Sequence, residues 1–134
     1  MRSWLAAGVL SALSIMASSA QRPPKVTGFF TDMRYVAEAG DVLGTEVWIV
    51  YARGKFWATV QNAEGEPDPP QVVPVEVSGA QVKFATRIPL ISRTENPVRD
   101  LVVEYSGTVS KAGLTLSIQG SQRTLLKRQN SYWQ

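Results

Sequence analysis

Eleven acidic side chains, with no histidine and no cysteine, set the chemistry that this chain can offer. Without histidine there is no Ser-His-Asp or Cys-His nucleophile system, and without either residue there is no His/Cys zinc site. What remains is a pair of carboxylates, or a lysine or tyrosine acting as base. The acids are poorly placed for such work. Glu76, Asp100 and Glu104 alternate with apolar neighbours, as outward residues of strands do. Glu64, Glu66 and Asp68 stand at alternate positions, a spacing at which oxygen ligands can meet a hard cation. Pro67, Pro69 and Pro70 stiffen that stretch, however, and the glycine and closing glutamate of an EF-hand loop are missing. It reads as a solvated acidic turn. These observations point to a non-enzymatic protein with no cofactor and no metal site.

Two stretches carry binding chemistry instead. The first is "YARGKFW", residues 51–57, where bases interleave with aromatics. Together with Trp48, the residues Tyr51, Phe56 and Trp57 are the candidate walls of a site for a small apolar ligand. The second is the terminus, "LLKRQNSYWQ", where Lys127, Arg128, Tyr132 and Trp133 form a candidate partner-binding tail. Large aromatics so close to a chain end need a reason, because ends fray. Either the tail folds back and plugs an open end of the fold, or it docks its rings in a partner while the bases meet acids. The net charge of +3 is too small and too scattered for nucleic acid, and no glycine-rich phosphate loop occurs.

The N-terminus runs "MRSWLAAGVLSALSIMASSAQ". Arg2, an apolar stretch from Leu5 to Ala17, and small residues up to Ala20 have the layout of a cleavable secretory signal, cut between Ala20 and Gln21. The expected organisation is therefore a signal peptide at 1–20, an extended lead-in at 21–25 carrying Pro23 and Pro24, and a single domain at 26–134. The location is periplasmic or secreted, with no membrane span after cleavage. With no cysteine, the exported domain must rely on packing and hydrogen bonds.

That domain reads as strands. In "GTEVWIVYARGKFWATVQ" (44–61), Val47, Ile49 and Tyr51 share one face, and Trp48 and Val50 the other. Gly54 supplies the positive φ of a hairpin turn. A second hairpin over 72–88 turns at Ser78-Gly79, and Pro74 predicts that its first strand lies on an edge or starts late. A third unit over 100–120 bends at Gly107 and turns at 111–113. A last strand covers 123–127. Earlier, "MRYVAEAG" tolerates a helical turn. The stretch at 62–71 carries three prolines and a run of acids and reads as a loop, and the loop at 91–99 lies in a polar connection, "PLISRTENPV", that carries Pro89 and Pro97. Sequential hairpins favour an antiparallel meander. About eight strands predict closure into a small all-β barrel, with a two-sheet sandwich as the alternative. At that strand number the interior holds its own side chains or one small ligand.

This arrangement resembles the small barrels related to lipocalins. Gly28-Phe29-Phe30 opens the first strand as a Gly-x-Phe segment, with phenylalanine where the lipocalin signature carries tryptophan. Arg128, or Lys127, near the end of the last strand is similar to the barrel-closing arginine of that superfamily. The resemblance implies a closed barrel that holds a small apolar ligand. The other reading of the same residues is a filled barrel serving as a protein-interaction module, such as an inhibitor or envelope accessory factor, that uses the loops at 62–71 and 91–99. A cavity, an exposed patch or a pair of converging acids separates these readings from each other and from catalysis.

Overall fold

The computed structural model describes residues 25–89 and 100–134. The expected signal peptide, nearly all of the lead-in and the loop at 91–99 lie outside the described residues. Nine strands follow in order: β1 (Gly28–Thr31), β2 (Arg34–Val36), β3 (Asp41–Ala52), β4 (Lys55–Gly65), β5 (Gln71–Ser78), β6 (Gln81–Pro89), β7 (Asp100–Val109), β8 (Gly113–Ile118) and β9 (Thr124–Arg128). All pairings are antiparallel, and each strand from β3 to β9 pairs with the next. β1 then pairs with both β9 and β3, which closes eight strands into a barrel. Closure rules out the sandwich.

The ninth strand, β2, continues β1. Both run along β3 in one register, Gly28 opposite Ile49 and Arg34 opposite Leu43. The break falls at Asp32 and Met33. There the Asp32 carboxylate accepts the Thr45 N–H at 2.7 Å, while its own N–H reaches the Thr45 carbonyl at 3.2 Å. The stretch that tolerated a helical turn is thus a short strand followed by a turn. Helix propensity yields here to pairing with β3.

Local chemistry explains the hairpins. Arg53 and Gly54 both have positive φ, 52° and 78°, as a two-residue type I′ turn requires. Ala52 therefore sits opposite Lys55, and the ladder runs unbroken from there to Val42 opposite Gly65. β7 runs straight through Gly107, where a bend was expected. Gly107 instead makes room: a Cβ there would lie 2.7 Å from Leu114 Cδ1.

Alternation fills the barrel. Phe30, Val47, Ile49, Ala58, Val60, Val82, Leu114, Leu116 and Leu126 are almost wholly buried. Phe84 and Tyr105 face each other across β6 and β7 and stack at 4.8 Å. Tyr105 Oη lies in the one polar thread of this interior among the described residues: Thr45 Oγ1 donates to Asn62, and Asn62 donates to Tyr105, each at 2.8 Å. No buried side-chain polar atom among the described residues lacks a partner. Outward positions on β6, β7 and β9 carry Lys83, Arg87, Glu104 and Lys127, all exposed. On these strands an apolar inside and a charged outside reverse the pattern of a membrane-spanning barrel.

Candidate interaction surface

The barrel's two ends are closed differently. At one end, Arg128 turns across the Phe30 ring, its guanidinium carbon 4.7 Å from the ring centre. It donates to the Thr27 carbonyl at 2.8 Å and to the Lys25 carbonyl. Gly28 leaves space for this. Its φ is 138°, and a Cβ would stand 2.8 Å from Arg128 Nη1. The Gly28, Phe30 and Arg128 positions singled out in the sequence thus form one closing device. At the other end, a space of about 60 Å³ lies between residues that include Asp32, Thr45, Ile118 and Thr124. That is far below the few hundred Å³ of a small-molecule site.

Of the four residues expected to line a cavity, Phe56 alone belongs to the packed inner face. Tyr51 lies at the rim, 60% exposed, edge-on to Phe56 at 4.9 Å. Trp48 and Trp57 point outward, because their strand neighbours Val47, Ile49, Ala58 and Val60 fill the inside. They are not directly opposed either: Trp48 faces Thr59, and Trp57 faces Val50. Trp48 instead stacks on Phe29 of β1, with ring centres 5.0 Å apart and planes 4° from parallel.

Outward residues of β1, β3, β4 and β5 form rows across the wall. One row is Phe29, Trp48, Thr59 and Val72, and the next is Val50, Trp57 and Pro74. Trp48 is 42% exposed and Val72 69%. Pro74 is exposed as well, and Phe29, Val50, Trp57 and Thr59 are half-buried between them. Exposed Lys55 and Glu76, next along the strands, bound the patch on one side.

The tail bounds it on the other. It does not plug an end of the barrel, as one reading expected, but lies on the outer wall. β9 ends at Arg128, and the chain then follows β1, with the Gln129 N–H on the Phe29 carbonyl. Glu46, an outward residue of β3 yet 8% exposed, accepts from Ser131 Oγ at 2.6 Å and from the Tyr132 N–H at 2.7 Å. Trp133 Nε1 donates to Gln61 at 2.8 Å, and its ring meets Tyr132 edge-on at 4.8 Å. Tyr132 is half-buried and Trp133 55% exposed, while Lys127 is an exposed outward residue of β9. The four tail residues therefore do not form one cluster: Arg128 closes the barrel, Lys127 points outward from β9, and Tyr132 and Trp133 lie together beside the wall.

Sequence reasoning missed Glu46 and Gln61, because nothing in an acid or an amide on a strand announces that a distant tail will cover it. Glu46 is the one buried acid among the described residues, so no buried carboxylate pair converges there. Those residues also contain no group of three side chains able to hold a metal ion. No family model matches this chain, and neither does any curated protein or solved structure.

Proposed function

We propose that this protein is a non-enzymatic interaction module of the secreted or periplasmic space, docking a protein partner on the aromatic wall of β1, β3, β4 and β5. The carrying observation is a reversal of places. Aliphatic side chains with Phe30, Phe84 and Tyr105 pack the inside, while the two indoles of the first hairpin lie outside. A barrel holding a small apolar ligand would need the opposite arrangement. The resemblance to lipocalin-related barrels, with Arg128 over Phe30, then concerns how the barrel closes rather than what it carries. The wall offers flat rings, aliphatic edges and a polar border, which is the make-up of a protein interface core and rim.

The test compares walls. Protein carrying Trp48→Lys should lose a partner that the unaltered protein retains through purification from its host's envelope. A Ser106→Lys change on the polar wall should keep it and melt within about 2 °C of the parent, as exposed substitutions do, while Trp48→Lys, which gives up the Phe29 stack, should melt about 5 °C lower and remain folded by circular dichroism. A small-molecule adduct in native mass spectra, or equal retention by both variants, would defeat the proposal.

A further inference from the structure

β5 and β6 are joined through three residues each, Glu76–Ser78 against Gln81–Lys83. Beyond Lys83, no ladder pairing joins these two strands among the described residues. The reason lies in backbone parity. Arg87 directs both its N–H and its C=O towards β5, where the Gln71 side chain takes them at 2.9 and 2.8 Å. Alternate residues of a strand bond to the same side, so Ala85 and Lys83 face β5 too. By register, Glu76, Pro74 and Val72 face β6. The Glu76–Lys83 rung is made. The next would join Ala85 to Pro74, which has no N–H to donate. The one after would join Arg87 to Val72, and there the Gln71 carboxamide stands in the ladder.

The missing rungs open into a groove of about 1110 Å³ that runs along β5, β6 and β7 to Gln119 and Gly120 and reaches down to Phe84 and Tyr105. The far edge of the β6–β7 ribbon is finished in the same way. β8 ends at Ile118, and Gln119 then gives its backbone N–H to the Glu104 carbonyl and its side-chain amide to the Val102 carbonyl, both at 2.8 Å. Its φ of 52° brings both donors round to one strand. The ribbon is thus held on either side by a glutamine where a neighbouring strand would be.

We propose that the slit between β5 and β6 accepts an extended segment of a partner polypeptide, which pairs with the Ala85–Arg87 edge of β6 and displaces the Gln71 carboxamide. The stand-in names the occupant. A carboxamide is the chemical equivalent of a peptide group, and at Arg87 it uses one donor and one acceptor as a strand would. Pro74 keeps the site open in the free protein, because β5 cannot supply the donor that would close it. The floor of Val73, Val75 and Phe84 selects apolar side chains at alternate positions of the incoming segment. Glu76 and Glu104 balance Lys83 and Arg87 around the groove, so the segment itself is uncharged in its middle. Strand addition of this kind draws affinity from main-chain bonds and specificity from alternate side chains. The inference does not depend on the aromatic wall.

The probe is a short peptide of alternating threonine and valine with a lysine at each end, titrated into the ¹⁵N-labelled protein. The Ala85 and Arg87 amide signals should shift. Methylating every second backbone nitrogen should abolish binding for one alternate set and spare it for the other. Gln71→Ala should tighten binding about fivefold by removing the competitor. Pro74→Val should weaken it about tenfold or more, because the restored N–H lets β5 and β6 zip together. Both variants should remain folded by circular dichroism. Unchanged affinity in Pro74→Val, equal binding of the two methylated peptides, shifts confined to Trp48 and Trp57, or no shift at millimolar peptide would each overturn the proposal. Shifts of the same amides on raising protein concentration alone would assign the edge to a second copy of this chain, and would overturn it as well.

Discussion

Removing the carboxylate that holds the tail separates a structural tail from a free one. Glu46 accepts two hydrogen bonds, from Ser131 Oγ at 2.6 Å and from the Tyr132 N–H at 2.7 Å. A hydrogen bond to a charged group contributes about 1.5–3 kcal/mol. Both donors are half-buried, so water recovers part of that when the acceptor is lost. Glu46→Ala removes the carboxylate itself, so no unpaired charge stays buried and the two half-buried donors are all that is left without a partner. The net loss expected is about 2 kcal/mol, or about 8 °C in Tm for a domain of this size. In a chain ending at Asn130 the same substitution should cost less than about 0.5 kcal/mol, because its partners are already gone. Urea unfolding of the four proteins, followed by far-UV circular dichroism, gives the coupling directly; fluorescence would be confounded by the loss of Trp133. If Glu46→Ala costs the same in both backgrounds, the tail does not rest on Glu46 and the reasoning fails.

Two further outcomes concern the closing device at the Arg128 end of the barrel. Arg128→Lys keeps the charge but loses the fork that reaches the Thr27 and Lys25 carbonyls together, and should cost about 2 kcal/mol by urea unfolding. Gly28→Ala puts a Cβ 2.8 Å from Arg128 Nη1 at a φ of 138°, and should cost about 3 kcal/mol. That cost should fall by about 1 kcal/mol in an Arg128→Ala background, since the collision disappears and the backbone strain stays. Additive losses would mean that Gly28 is needed for its backbone alone.

Most of the fold was legible because strand alternation and turn residues are local signals. Gly54 and Gly79 lie in turns, as expected, and the runs around them are strands with longer ends than the sequence suggested. Pro74 was read as an edge or late-start signal. The strand in fact begins before it and pairs with β4 from Gln71 to Val75, and Pro74 turns its missing donor to the one side where the ladder stops. Gln71, Gln119, Gln61 and Glu46 were not legible. Their roles depend on backbone groups or tail residues brought beside them by closure, and an amide or an acid on a strand looks alike in sequence whatever it will meet.

By itself the sequence determined that this chain is an all-β meander of hairpins, that it lacks histidine and cysteine chemistry, and which residues of each strand share a face. Which face turns inward was a matter for the tertiary structure. In β3, Val47 and Ile49 on one side and Trp48 and Val50 on the other are all apolar, so alternation cannot choose between them. Closure at eight strands chooses, because so narrow an interior just fits its side chains. Valine, isoleucine, leucine and the small Ala58 fill it beside Phe30, Phe84 and Tyr105, and the indoles of Trp48 and Trp57 are left on the outside.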